Sequence, residues 1–259
     1  MKTAKKSLFK KLPAFVLLGC AGLAFIPPKK HITIYLAGDS TMADKRVSAY
    51  PETGWGTRFN NFFDSTVTIV NRAQNGRSTR TFVTDGFWKQ IADNMQADDY
   101  VLIQFGHNDE VPTKAAATTE AEFKKNLETY VDEVRQKKAI PVLITPVARR
   151  SFDANGTEQD THKRYAEIVR EAAAEKKVML VDLDKESMEL LQKFGPERSK
   201  YLYNQLKPGE NPNYPDGKTD NTHFSELGAR KMAEIVLADL RKLSPEINSR
   251  VVTSNWGVK

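Results

Sequence analysis

Apolar residues fall in short unbroken runs separated by longer amphipathic stretches. Ile32-Thr33-Ile34-Tyr35-Leu36-Ala37 is apolar and partly β-branched with no helical period, which predicts a buried strand. Val67 to Asn71, Tyr100 to Phe105, Ile140 to Thr145 and Val178 to Val181 read the same way. Between them, residues 119–138 place Phe123, Leu127, Tyr130, Val131 and Val134 on one side of a long helix. Phe87 to Met95, Asp160 to Lys176 and Phe224 to Leu240 predict further helices, and Ser187 to Phe194 a helical turn or two. Trp55, Phe59, Phe62 and Phe63 have the spacing of a helix face. Lys207 to Lys218 holds Pro208, Gly209, Pro212, Pro215 and Gly217 and predicts a loop. Residues 244–259 read as a loose tail. Strand and helix alternate throughout with no long linker, which predicts an α/β fold: one three-layer domain over residues 30–243, a parallel sheet with helices on both faces.

Residues 1–26 stand apart from this pattern. Met1 to Lys11 carries five lysines and no acid, Leu12 to Ile26 is apolar, and Pro27-Pro28 ends the run. That is the layout of an export signal, so the chain is expected to be exported: secreted, periplasmic or lipid-anchored. Gly22-Leu23-Ala24 offers a cleavage site after Ala24. Leu17-Leu18-Gly19-Cys20 offers the alternative of a bacterial lipobox, with an anchor at Cys20 as the one membrane contact. The formal charge of +6 falls to +1 without the five lysines, so the basic balance belongs mostly to this segment. The domain shows no basic stripe of the kind nucleic acid requires. Cys20 is the only cysteine, which excludes an internal disulfide. A monomer is expected.

Three strand ends carry similar chemistry. The first run stops at Gly38-Asp39-Ser40, the second leads to Asn75-Gly76-Arg77, and the third ends at Gly106-His107-Asn108-Asp109. In a parallel sheet all three lie on the rim where ligands collect. Acyl transfer needs a nucleophile, a base, an orienting acid and donors for the oxyanion. Ser40 supplies a hydroxyl and a backbone N–H, Gly76 a backbone N–H, and Asn108 an amide. Asp220-Asn221-Thr222-His223 supplies the acid and base, whose spacing of three suits one shared turn. Ser40 is therefore read as nucleophile and His223 as its base.

These blocks resemble the four blocks of the SGNH, or GDSL-type, hydrolases, in the same order and across nearly the whole chain after residue 30. Gly38-Asp39-Ser40-Thr41-Met42-Ala43, Gly54-Trp55-Gly56, Gly76-Arg77-Ser78, Phe105-Gly106-His107-Asn108-Asp109 and Asp220-Asn221-Thr222-His223-Phe224-Ser225-Glu226-Leu227-Gly228-Ala229 resemble the rhamnogalacturonan acetylesterase branch. The resemblance implies a five-stranded, mainly parallel, flavodoxin-like sheet. It also implies removal of O-acetyl groups from plant cell-wall polysaccharide, chiefly pectin. It assigns Ser40, Asp220 and His223 as the catalytic residues, and Ser40, Gly76 and Asn108 as the oxyanion hole. No cofactor is expected.

Other positions carry weaker expectations. His107 could shape the rim or touch substrate. Arg77, Arg80, Arg149 and Arg150 follow strand ends and could meet an acidic sugar polymer, or stand as solvated charges. Trp55 could stack on a sugar ring or pack a helix face. Asp39 is expected to fix its loop, and Asp182 and Asp184, which have no nearby histidine, to be structural. His31 at a strand start and His162 in a helix read as surface residues. No two histidines stand at metal-ligand spacing, so no metal is expected. A lipid or thioester hydrolase of the same fold and a catalytically silent polysaccharide-binding protein are the competing readings; an intact Ser40, Asp220 and His223 argue against the second.

Overall fold

The computed structural model describes residues 29–252; the expected export signal over residues 1–26, with the candidate anchor Cys20, lies outside the described residues. Five parallel strands form the central sheet: β1 (Ile32–Gly38), β2 (Val67–Asn71), β3 (Tyr100–Gln104), β4 (Ile140–Ile144) and β5 (Met179–Val181), in the order β2-β1-β3-β4-β5. Their side chains alternate between two cores, as a period of two requires. Ile32, Ile34 and Leu36 of β1, with Tyr100, Leu102, Val142 and Ile144, face one side. There they meet the 3₁₀ helix Trp55–Phe62 and the last long helix. Tyr35 and Ala37, with Val101, Ile103 and Leu143, face the other, under the helices between β2 and β5. Strands buried on both faces are apolar at nearly every position, which is why they were legible as unbroken runs.

The remaining elements are α1 (Thr79–Thr84), α2 (Phe87–Ala92), α3 (Glu120–Gln136), α4 (Lys163–Lys176), α5 (Leu183–Arg198), β6 (Tyr203–Leu206), β7 (Lys218–Phe224), α6 (Glu226–Leu243) and α7 (Pro245–Asn248). Capping sets several starts: Ser78 forms a capping box with Thr81, Thr119 accepts from Glu122 N–H, and Ser225 accepts from Gly228 N–H. All five apolar residues expected on one side of α3 are buried.

Four expectations need correction. The Trp55 segment is a 3₁₀ helix, whose tight winding lets Gly54 and Gly56 press on the loop after Ser40: a Cβ on Gly54 would lie 2.1 Å from the Ala43 carbonyl oxygen, and one on Gly56 2.6 Å from that of Met42. The loop expected over Lys207 to Lys218 holds as far as residue 217, but Lys218 already belongs to a strand, and β6 and β7 on either side of the loop pair as a second, antiparallel sheet. The short turn expected after β5 is the full helix α5, kinked at Gly195. Residues from Ser244 do not hang loose as far as Val252: α7 forms, Val252 N–H donates to Phe62 O, and Arg250 is 2% exposed, its guanidinium on Glu246 and Thr66.

Candidate active site

The sheet order reverses between β1 and β3, because β2 lies on one side of β1 and β3 on the other. The crevice outside the carboxyl ends of such neighbours is the binding position of open α/β sheets. Ser40 follows β1 there, and the 106–109 turn follows β3.

The loop bearing Ser40 is held from below. Asp39, fully buried, accepts from Thr41 N–H and Thr41 Oγ1, each at 2.9 Å. Thr41 Oγ1 accepts in turn from the Gln104 side-chain amide at 2.7 Å, and Gln104 Oε1 accepts from Trp55 Nε1 at 2.6 Å. Trp55 is 0% exposed, so the candidate sugar platform is a core residue whose indole N–H anchors the nucleophile loop.

His223 Nε2 lies 3.0 Å from Ser40 Oγ, and His223 Nδ1 lies 2.9 Å from Asp220 Oδ2. Asp220 Oδ1 accepts from the backbone N–H of Thr222 at 2.8 Å and of His223 at 3.0 Å. Acid and base do not share a helical turn. They lie within β7, where Thr219 pairs with Gln205 and Phe224 with Tyr203. Two steps along β6 therefore face five along β7, and the surplus bulges, with His223 turned to Ser40 and Asp220 behind the imidazole. Burial raises the Asp220 carboxyl, but the His223 side chain and the two N–H donors outweigh it and hold the acid well below its usual range. The carboxylate stays charged against the imidazole.

Gly76 has φ +75°, a left-handed conformation suited to glycine, and nothing lies within 4 Å of where a Cβ would point. Among the described residues, the backbone N–H groups of Ser40 and Gly76 donate to no protein acceptor. Asn108 is 3% exposed and fixed at both ends of its amide: Nδ2 donates to Arg77 O at 3.0 Å, and Oδ1 accepts from Lys114 Nζ at 2.8 Å. Those partners set the flip of the amide and leave the second Nδ2 hydrogen for the crevice.

Ser40, Gly76, Asn108 and His223 line one cleft of about 440 Å³, together with Glu52, Asn75, His107, Lys114, Arg149 and Thr222. His107 lines it too, but both ring nitrogens are sealed from solvent and unpartnered, and the ring packs edge-on against His162 with centroids 4.3 Å apart. Burial first, then the nearby charges of His162, Arg149, His223 and Lys114, push the His107 imidazole well below its ordinary range. It is a neutral wall of the cleft.

The remaining arginine candidates serve the framework. Arg77 pairs with Asp85 at 2.8 Å and lies over the Phe87 ring. Arg80 donates to the carbonyls of Ala115 and Ala117 and so clamps the loop that carries Lys114. Arg149 reaches the cleft but is neutralised by Glu110, and Arg150 binds Ser199, Pro196 and Asn221. His162 is not a surface residue within a helix. It is 2% exposed just before α4, with Nδ1 2.8 Å from Glu110. Asp182 and Asp184 both take the Arg170 guanidinium. Sequence reasoning missed Lys114 and Glu52. Glu52 lines the cleft and is held by an ion pair of 2.7 Å with Lys45, itself on Asn75 Oδ1, and no motif marks Lys114, Glu52 or Lys45.

Two predictions follow from these contacts. Lys114→Met leaves the Asn108 amide held at one end only. The kcat for an aryl acetate should fall about tenfold with KM little changed, against the 100- to 1000-fold typical of losing a whole oxyanion donor. Equal kcat in steady-state kinetics would detach Lys114 from the hole. The second concerns Asp109, fully buried and bonded to Thr79 and Thr118, whose carboxyl burial pushes up to about 7. Between its unfolded value of 3.8 and about 7 the folded state holds a proton that the unfolded state has released. Stability from this group is complete below the unfolded value and is lost as pH rises through about 7. Asp109→Asn should flatten the fall in unfolding free energy between pH 5 and 8, by on the order of 1–3 kcal/mol. Parallel denaturant curves for the two proteins, with the same loss, would exclude it.

The model of the GDSL-like Lipase/Acylhydrolase family matches residues 36–231. The chain is 40% identical over 227 residues to the rhamnogalacturonan acetylesterase RhgT of Bacillus subtilis (strain 168), covering 87% of this chain and 96% of that one. It is 30% identical over 241 residues to a rhamnogalacturonan acetylesterase of Emericella nidulans, covering 85% and 89%. Among solved structures, YxiM of Bacillus subtilis superposes with a TM-score of 0.71 at 29% identity, over 83% of this chain and 58% of that one. An acetylxylan esterase of Geobacillus stearothermophilus shares the fold, with a TM-score of 0.60 at 22% identity over 82% and 94%. With the family's blocks gathered at one crevice of the sheet, the chain belongs to the GDSL-like lipase/acylhydrolase family and is a carboxylic ester hydrolase.

Proposed function

We propose that this enzyme removes acetyl groups from rhamnogalacturonan, with Ser40 as nucleophile, His223 as general base and acid, and Asp220 as the group that orients His223. The observation that carries the reading is the continuous chain from Ser40 Oγ to His223 to Asp220, at 3.0 and 2.9 Å, opening on a cleft. The two relatives named as rhamnogalacturonan acetylesterases support the substrate. The cleft lining supports a short acyl group, since it contains no large aliphatic side chain.

The cycle has two halves. His223 Nε2 takes the Ser40 proton as Oγ bonds to the acetyl carbonyl carbon. The negative charge on the carbonyl oxygen meets the N–H groups of Ser40 and Gly76 and the Asn108 amide. The tetrahedral adduct collapses, the bond to the sugar oxygen breaks, and His223 gives that oxygen its proton. Water then attacks the acetyl-serine with His223 again as base. Collapse returns the proton to Ser40 Oγ and releases acetate. Asp220, kept ionised, stabilises the imidazolium in both halves.

The test is acetate release from acetylated rhamnogalacturonan and acetylated xylan, run beside acetyl, butyryl and octanoyl aryl esters. Faster release from rhamnogalacturonan and a preference for the acetyl ester are expected. Release from xylan alone would change the polymer. No release from either polymer, with good octanoyl hydrolysis, would move the enzyme to lipids or thioesters.

A further inference from the structure

The β6–β7 hairpin borders a second depression, larger than the first at about 830 Å³. It lies between the loop joining those strands and the 3₁₀ turn Ser199–Leu202. Its most prominent side chain is Tyr201, 72% exposed. The backbone beneath that ring is held firmly: Tyr201 O accepts from Ser225 Oγ at 2.7 Å, and the next residue, Leu202, is fully buried. An aromatic ring presented to solvent from a fixed backbone offers a flat apolar face edged by a hydroxyl, the surface that a pyranose ring covers.

Charge gives the occupant its sign. Four cations, Arg198, Lys200, Lys207 and Lys218, line the groove against two acids, Glu197 and Glu210. Glu197 is taken by Lys200 at 2.8 Å, and a Glu210 carboxylate oxygen accepts from the Lys207 backbone N–H at 2.7 Å. Lys218 Nζ sits 4.0 Å from Asp220. Among the described residues, no carboxylate pairs with the Arg198 guanidinium or the Lys207 ammonium.

The groove adjoins the reacting cleft. Lys218 and Thr219 line the groove, Thr222 and His223 line the cleft, and all four belong to β7. Gln205, also in the groove, donates through Nε2 to Asp220 O at 2.9 Å. An extended chain held in the groove is thus anchored against the strand that carries the base.

We propose that this groove is a binding subsite for an anionic sugar unit, a uronate of the polymer, with Tyr201 under the pyranose face and Arg198 and Lys207 on its carboxylate. The proposal rests on the polysaccharide reading above and adds where the polymer is gripped. Each contact is exposed and individually weak; several units along one chain add up.

The experiment measures two quantities on the full protein: the Kd for an acetate-free oligogalacturonide, by calorimetry at low and high salt, and KM for acetylated rhamnogalacturonan. The variants are Tyr201→Ala and the double Arg198→Ala/Lys207→Ala, with melting temperatures as a check on the fold. The double variant should weaken oligogalacturonide binding about fivefold, and high salt should weaken wild-type binding while hardly affecting the variant. Tyr201→Ala should weaken binding at both salt levels. The loss on the polymer should fall in KM rather than kcat. Unchanged Kd and KM in both variants, with wild type still releasing acetate, overturns the subsite and leaves the esterase reading standing. Wild-type binding that depends on the three residues, without acetate release from the polymer, supports the groove and overturns the deacetylation of rhamnogalacturonan instead.

Discussion

Ser40→Ala is expected to lower acetate release by about 10⁴-fold or more, since losing a nucleophile or its base removes the catalytic unit as a whole. What remains is catalysis by the donors alone, which the substitution leaves in place: the Ser40 and Gly76 N–H groups belong to the backbone, and Asn108 keeps both its partners. The loop should survive the change, because it is held by Asp39, Thr41, Gln104 and Trp55 and not by the serine hydroxyl. Initial rates on an aryl acetate and on polymer, beside an unchanged melting temperature, check the point. Activity within tenfold of wild type would displace Ser40 from its role.

Asp220→Asn should cost nearly as much, about 10³- to 10⁴-fold, and for a different reason. Asp220 Oδ1 accepts two backbone N–H groups, and Oδ2 faces His223 Nδ1. An asparagine keeps its oxygen on the two N–H donors, because its NH₂ there would face like donors. The NH₂ then falls on Nδ1, which must accept, so the neutral ring carries its proton on Nε2. That nitrogen cannot take a proton from Ser40. The backbone turn persists, so the loss should appear in kcat with little change in the melting temperature. Near-wild-type turnover would show that the acid neither selects the tautomer nor supports the imidazolium.

The central sheet was legible because β1, β3 and β4 are buried on both faces and read as apolar runs. The strand ends were legible because each run halts at glycine or a polar group. The β6–β7 hairpin was not. Lys218–Phe224 is polar nearly throughout and its pairing is broken by the bulge, so neither alternation nor an apolar run announces a strand. The three-residue spacing of Asp220 and His223 signalled partnership correctly but the wrong local structure. Trp55 and Arg80 show a further limit: a rim position does not give a side chain's direction. Trp55 turns inward to Gln104, and Arg80 finds carbonyl oxygens, partners that no sequence pattern marks. Burial of His162 and Arg250 likewise depends on distant partners, Glu110 and Thr66.

The bulge in β7 has a thermal consequence. Acid and base keep their mutual geometry within four residues, through contacts that travel with them. Their reach to Ser40 is a docking distance instead, held by the hairpin's seat on the body: Thr53 N–H to Phe224 O at 2.9 Å, Arg150 N–H to Asn221 O at 2.8 Å, and the Tyr203 hydroxyl to Ala148 O at 2.8 Å. Local opening of a small unit needs less free energy than opening the whole fold. Warming should therefore disarm the enzyme by unseating an intact acid–base pair, reversibly and at a temperature below that at which the five-stranded sheet melts.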